Sequence, residues 1–270
     1  MKAFRSHWSG RLIAICACAY AALPARAAQS EAWQWCERRD QHRVSADQSI
    51  LGCTTYIQSQ PGSAVELAIA FYNRANAYDA KKDYGRAIQD YGEALRQNPD
   101  LAEAFNNRGN DYNYLKQFGR AIQDFDRAIQ LRPDYADAFM NRGTSYEITK
   151  DYDRAIQDFD QAIRLNPENV DAFVNRANTY NYKKNYQHAI EDFSQALRLA
   201  PSDVDAYIGR GITYRYLKDY DRAIRDFDQA LRLKPGDAYA LQNRSIAYHH
   251  QTLDNRARRG SVLPNGPGSK

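Results

Sequence analysis

The sequence predicts an all-α fold, a right-handed superhelical solenoid of helix-turn-helix repeats. Prolines recur every 34 residues, and other residue types keep the same period. Between the prolines, apolar residues follow the spacings of three and four that form one stripe on a helix. A fixed period of this size is typical of stacked copies of one supersecondary unit. The marker prolines are Pro99, Pro133, Pro167, Pro201 and Pro235.

Residues 1–27 are predicted to be a cleavable signal peptide. Lys2 and Arg5 provide a positive start, an apolar run follows, and a small-x-small motif ends at Ala27. The apolar run is about a dozen residues, shorter than a bilayer of roughly 30 Å requires. We therefore expect cleavage after Ala27 and a secreted or periplasmic protein. A retained anchor is the alternative.

The charge balance does not favour nucleic acid as a partner. The chain carries a formal charge of +4, but four of its 37 basic residues lie in the first 27 positions. Without that segment, 33 basic residues face 33 acidic ones. No basic field that could attract phosphates is left. No later stretch is apolar enough to predict a membrane span.

Residues 28–67 are interpreted as a degenerate copy of the repeat that caps the N-terminal end, because terminal repeats of solenoids are atypical. This unit contains Cys36 and Cys53, the two cysteines that follow the predicted signal peptide. In an oxidising compartment a disulfide between them is expected. Two buried free thiols are the alternative.

Five clean copies follow, and each contains two helical patterns. In the second copy the first helix has a stripe from Phe105 to Tyr112, and the second helix has one from Phe118 to Ile129. A tight turn at Lys116 separates them, and a proline ends the second helix. Small residues recur where the two helices approach closely, and large aromatic residues alternate with them. The copies span residues 68–101, 102–135, 136–169, 170–203 and 204–237.

This pattern resembles the tetratricopeptide repeat. In the first copy Phe71, Ala75 and Tyr78 match the family's first-helix positions, and Ala87, Tyr91, Ala94 and Pro99 match those of the second helix and the end of the repeat. Residues 238–253 repeat only the first helix and resemble the C-terminal capping helix. Residues 254–270 are basic at their start and then rich in Pro, Gly and Ser, so we expect a disordered tail.

One departure from the family pattern predicts structural ion pairs. Arginine replaces the usual leucine in every clean copy, and an aspartate follows at the same spacing each time. We expect each pair to bridge the two helices of its repeat. A ladder of anion-binding arginines is the functional alternative. The expected pairs are Arg74 with Asp90, Arg108 with Asp124, Arg142 with Asp158, Arg176 with Asp192, and Arg210 with Asp226.

The sequence contains no signature that predicts catalysis. The histidines lack the HExxH spacing, no glycine-rich phosphate loop is present, and two cysteines cannot form the usual zinc site. We therefore expect no catalytic residue, no metal and no cofactor.

The resemblance implies that the first helices line a concave groove in which the family holds peptides. Tyrosine there offers a large ring with a polar tip, and asparagine can pair with a peptide backbone. The alternative is a merely hydrated face whose asparagines cap neighbouring turns. The predicted groove residues are Tyr72, Asn76, Asn107, Asn110, Tyr114, Asn141, Asn178, Tyr182, Ile212 and Tyr216.

These patterns predict an exported, non-catalytic scaffold that binds a protein or peptide through the groove. One alternative is a structural cell-envelope protein that contacts glycan or lipoprotein. Another is an accessory subunit of a larger secretion or enzyme complex.

Overall fold

A computed structural model describes residues 31–37, 44–59 and 63–260. The predicted signal peptide and the segment from 261 to 270 lie outside these ranges. The described residues are helical, with no strand among them. The chain divides into two compact units, residues 1–132 and 133–270.

The first unit contains helices α1 to α6. Helical residues 31–37 (α1) and α2 form the N-terminal pair, and the first two clean repeats follow. The bounds are α2 Ala46–Gln58, α3 Ala64–Ala80, α4 Tyr84–Gln97, α5 Ala102–Tyr114 and α6 Phe118–Leu131.

The second unit contains three complete helix pairs and one further helix. Its bounds are α7 Ala136–Ile148, α8 Tyr152–Leu165, α9 Val170–Tyr182, α10 Tyr186–Leu199, α11 Val204–Tyr216, α12 Tyr220–Leu233 and α13 Ala238–Gly260.

Each clean pair packs around one large aromatic ring from its second helix. Phe159 of α8 is fully buried, and its ring edge faces Gly143 of α7. A methyl group built on Gly143 would lie 2.8 Å from the Phe159 ring, so the small residue is what lets the helices approach. Burying such a ring contributes roughly 1.5–3 kcal/mol. The corresponding buried rings are Tyr91, Phe125, Phe159, Phe193 and Phe227.

The turn between the helices of each clean repeat is closed by a lysine in the left-handed region. Lys116 has a φ of 59°, and the amide of the next residue, Gln117, donates to the carbonyl of Tyr112 at 2.8 Å. This is a Schellman motif, which satisfies carbonyl groups at the end of the first helix. The equivalent residues are Lys82, Lys116, Lys150, Lys184 and Lys218, with φ between 59° and 66°.

The C-terminal helix is longer than the sequence predicted. We expected it to end at residue 253, but α13 continues to Gly260. No proline or glycine interrupts the chain between Ala238 and Arg259, and Arg258 lies 3.5 Å from Asp254 one turn earlier. Residues 254–260 therefore belong to the helix and not to a disordered tail.

Candidate functional site

Within each unit the first helices of neighbouring repeats lie side by side and form a face, here called the first-helix face of that unit. In the first unit α3 contacts α5, and in the second unit the contacts run from α7 to α9, α11 and α13 in turn. All ten predicted groove residues lie on these helices. Five of them fall in each unit.

The three predicted groove tyrosines from the ends of first helices are each stacked on a second tyrosine. Tyr182 of α9 stacks on Tyr152 of α8 with ring centroids 5.5 Å apart, and Tyr216 of α11 stacks on Tyr186 of α10 at 5.4 Å. Their side chains are nevertheless 60% and 51% exposed. Stacking therefore holds the rings in place while most of their surface stays available.

The first unit has the same arrangement. Tyr114 of α5 is 65% exposed and stacks on Tyr84 of α4, with centroids 4.7 Å apart. The partner tyrosines were missed by reasoning from the sequence. The sequence did contain a sign of them, because each partner tyrosine precedes its groove tyrosine by the same number of residues. That these residues are in contact, however, depends on how one repeat packs on the next.

The other predicted groove residues of the first unit bond mainly to one another. The side-chain amide of Asn107 donates to Tyr72 Oη at 3.3 Å and to Asn76 Oδ1 at 3.2 Å. Asn76 Oδ1 also accepts from the hydroxyl of Tyr91 at 2.6 Å. These hydrogen bonds join neighbouring repeats. The sequence analysis considered instead that such side chains are free to bind a peptide or that the asparagines cap neighbouring turns. Asn110 is half-buried on the same helix as Asn107.

In the second unit the remaining predicted residues are half-buried. Asn178 of α9 and Ile212 of α11 occupy equivalent positions in successive repeats, and Ile212 packs against the core around Phe227. Asn141 of α7 accepts a hydrogen bond from Ser145 Oγ through its main-chain carbonyl at 3.0 Å.

Polar pairs link the last turns of neighbouring first helices. The buried hydroxyl of Thr179 on α9 donates to the Glu147 carboxylate of α7. Between the next two first helices, α9 and α11, Asn181 Nδ2 donates to the buried Thr213 Oγ1 at 2.8 Å. Buried polar groups are tolerated when they are bonded in this way.

Between the first helices α3 and α5 of the first unit, the equivalent pair consists of two carboxyl groups. Asp111 of α5 is fully buried and faces Asp79 of α3. Two ionised carboxylates cannot bond to each other, and neither Asp111 oxygen has another hydrogen-bond partner. Burial, together with the charge of Asp79, raises the pKa of Asp111 to about 8. We therefore expect the pair to hold a proton at neutral pH.

Each of the five arginines expected in an ion pair lies against its aspartate in a two-pronged contact. In the last repeat Arg210 Nε is 2.8 Å from one oxygen of Asp226, and its Nη2 is 2.9 Å from the other. The aspartate is buried and the guanidinium is mostly so. The same geometry joins Arg74 to Asp90, Arg108 to Asp124, Arg142 to Asp158 and Arg176 to Asp192.

In several repeats the third guanidinium nitrogen reaches the preceding repeat. Arg210 Nη1 donates to Ser194 Oγ at 3.0 Å, and Arg176 Nη1 donates to Asp160 Oδ1 at 2.5 Å. In the first unit Arg74 Nη1 donates to Thr54 Oγ1 at 3.0 Å. These arginines thus connect three helices, a role that their regular spacing in the sequence did not reveal. Their bonds leave little capacity for an external anion.

Cys36 of α1 and Cys53 of α2 are joined in the structure, with their α-carbons 4.6 Å apart. The two helices meet at Gly52, where an added methyl group would lie 2.6 Å from Trp35 Cβ. This close approach leaves no room for the arginine–aspartate pair of the later repeats. Oxidation of the pair in the exported protein remains a prediction.

Within the described ranges, no group of three or more His, Cys, Asp or Glu residues could hold a metal ion. Of the helices described, none has the length and apolar character needed to cross a membrane.

The paired helices, the 34-residue register and the first-helix face define a helical repeat protein of the class that presents a surface to other proteins. The tetratricopeptide repeat family model matches residues 68–101, 102–135, 136–169, 170–203 and 204–237. The chain therefore belongs to the tetratricopeptide repeat family, as the pattern predicted. No curated protein matches the chain.

Solved structures share the fold at low sequence identity. One is YrrB, described as a TPR protein with an unusual peptide-binding site; it is 22% identical, with a TM-score of 0.59, and the match covers 72% of this chain and 97% of YrrB. MamA from Desulfovibrio magneticus RS-1 is 19% identical, with a TM-score of 0.59 and coverage of 63% and 97%. Pseudomonas aeruginosa PilF is 19% identical, with a TM-score of 0.64 and coverage of 82% and 96%.

Proposed function

We propose that this protein is an exported, non-catalytic scaffold that binds a protein partner through its first-helix face. Proteins of this fold generally act as binding scaffolds, and the related structure of YrrB is described as having a peptide-binding site. The observation that carries the proposal is the set of exposed tyrosines held in stacked pairs. A rigid aromatic ring offers contact area at little cost in conformational entropy, which is why tyrosine is enriched at interfaces.

The five arginine–aspartate pairs support this choice of binding surface, because their arginines are already engaged and do not offer a second one. The guanidinium groups of Arg176 and Arg210 are mostly buried and bonded to aspartates. A partner that approached them would have to break buried ion pairs. Tyr182 and Tyr216 need no such rearrangement, since their rings already face solvent on more than half of their surface.

A crosslinked pull-down from envelope extract tests the proposal. We would compare the natural protein with a Tyr182→Ala/Tyr216→Ala variant and with a control, Leu165→Ala/Leu199→Ala. The control removes exposed apolar side chains near the ends of second helices in the same unit. A partner that is lost only from the tyrosine variant supports the proposal. Equal capture by all three proteins would contradict it, and capture of glycan without protein would favour the structural alternative.

Export is tested separately on protein recovered without reductant. We expect the mature chain to begin at Ala28 and to have no thiol that can be alkylated, because we expect Cys36 and Cys53 to form a disulfide. In the chain-entropy model, closing a loop of 17 residues contributes roughly 3 kcal/mol to the terminal unit. Two alkylated cysteines on the mature chain would rule out the disulfide, and an intact residue 1 would rule out cleavage.

A further inference from the structure

Two charges of opposite sign, neither of them in an ion pair among the described residues, lie on the first-helix face of the second unit. Glu147 is in the last turn of α7, and Arg215 is in the last turn of α11. They hold the same repeat position, two repeats apart, and uncharged Asn181 of α9 lies between them in the series. The series therefore changes from negative to neutral to positive along the chain.

Glu147 is placed where its own helix does not favour it. The last turn of a helix carries partial negative charge, which disfavours a carboxylate. The side chain is half-buried, and burial raises its pKa, while the hydroxyl of Thr179 is the hydrogen-bond donor that the structure shows for it. No described basic side chain forms an ion pair with it. A cation supplied from outside would compensate this charge.

The exposed ring of Tyr182 lies on the same helix as Thr179, the donor to that carboxylate. Tyr182 follows Thr179 by three residues on α9, a spacing that puts their side chains on one face of the helix, and Thr179 is bonded to Glu147. Tyr182 is fixed by its stack on Tyr152. A carboxylate next to a fixed aromatic face suits a lysine or arginine side chain, which gains an ion pair and a cation–π contact together.

Arg215 carries the opposite charge, in the last turn of α11. Its guanidinium lies 5.1 Å from the centroid of the Tyr216 ring, and its Nε is buried with no hydrogen-bond partner. None of the ion pairs among the described residues includes Arg215. Because this guanidinium is in no ion pair among the described residues, a carboxylate supplied from outside would gain a charge-assisted hydrogen bond with it.

We infer that this face recognises an extended segment of a partner protein that carries a basic side chain and a carboxylate at a set distance. The basic group binds at Glu147 and Tyr182, and the carboxylate binds at Arg215. Packed helices lie about 8–10 Å apart. Two such spacings, from α7 to α9 and from α9 to α11, therefore separate the Glu147 site from the Arg215 site by roughly 16–20 Å. An extended chain rises about 3.3 Å per residue, which places the two charges about five or six residues apart.

This inference rests on the proposed function, because it names the kind of segment that the same face binds. Selection from a displayed library of random 12-residue peptides tests it. We would select on the natural protein, on Glu147→Gln/Arg215→Gln, and on a control, Glu191→Gln/Arg232→Gln. The control removes one acid and one base from exposed positions on the second helices α10 and α12 of the same unit.

We expect the natural protein and the control to enrich peptides with a basic and an acidic residue five or six apart. The Glu147→Gln/Arg215→Gln variant should lose this pattern. Enriched peptides without the pattern, or the same pattern on that variant, would overturn the inference and leave peptide binding by the face intact. Failure to enrich any peptide would also overturn it, while the crosslinking experiment decides the proposed function independently.

A titration with one enriched peptide separates recognition from loss of folding. Replacing the basic residue of the peptide with glutamine should weaken binding to the natural protein about tenfold, the effect of a charged hydrogen bond. The same replacement should have no effect on binding to the single variant Glu147→Gln, because the interaction is already absent. An equal tenfold loss on both proteins would show that Glu147 is not the partner.

Discussion

Replacing Asp111 with threonine should stabilise the protein at alkaline pH. Asp111 is fully buried opposite Asp79, and its oxygens have no donor when both groups are ionised. The second unit contains threonine at the equivalent position, where Thr179 donates to Glu147 and to the main-chain carbonyl of Asn175 at 2.9 Å. Asp111→Thr would recreate this carboxylate–threonine pair in the first unit.

The pH dependence of the effect follows from the raised pKa. Asp111 has a pKa of about 8 in the folded chain, against 3.8 for an ordinary aspartate. Between these values the folded protein holds a proton that the unfolded chain releases, so the free energy of unfolding falls as pH rises from about 4 to 8. Above pH 8 the ionised, unbonded carboxylate costs on the order of 1–3 kcal/mol. Asp111→Thr should recover that amount at pH 8.5 and much less at pH 5.

Chemical denaturation at both pH values measures this, with Thr179→Asp as the mirror variant. That variant places a second carboxyl group against Glu147 and should lose stability mainly at pH 8.5. The reasoning is refuted if Asp111→Thr is no more stable than the natural protein at pH 8.5. A gain of equal size at pH 5 would show that ionisation is not the cause.

Three further predictions concern stability and use the same denaturation assay. Lys150 has a φ of 66°, in the left-handed region, so Lys150→Gly should raise the free energy of unfolding by about 0.5–1 kcal/mol. Lys150→Val should lower it by more than about 1 kcal/mol, and equal effects of the two variants would exclude the backbone explanation. Gly143→Ala should lower the free energy of unfolding by about 1–3 kcal/mol, since the added methyl group would lie 2.8 Å from the Phe159 ring. An unchanged denaturation midpoint would mean that the ring moves freely. Arg210→Met should cost roughly 2–4 kcal/mol because it leaves the Asp226 carboxylate buried and unpaired; an unchanged free energy of unfolding would show that the pair does not stabilise the repeat.

Part of the candidate site could be predicted from the sequence. The groove positions follow from the helical stripes, so the spacing alone assigns Tyr114, Tyr182 and Tyr216 to first helices. Whether these rings are available to a ligand could not be predicted, because exposure depends on what the next repeat places against them. Asn76 and Asn107 illustrate the limit, since the structure bonds them to each other across repeats.

The amino-acid sequence alone specifies the helix pairs, their order and the turns between them. These features depend on short-range causes, namely the spacing of apolar residues, a proline that cannot continue a helix and small residues where helices meet. The family follows from the same period. The constant spacing of arginine and aspartate also pointed to a contact, because both residues belong to one helix pair.

Which residues meet between repeats is set by the tertiary structure. Tyr152 and Tyr182 belong to different repeats, as do Asp79 and Asp111, yet each pair is in contact. Whether residues so far apart in the chain touch depends on the angle and distance at which one helix pair packs on the next. Side-chain packing across that interface sets those quantities, and no local pattern in the chain encodes them.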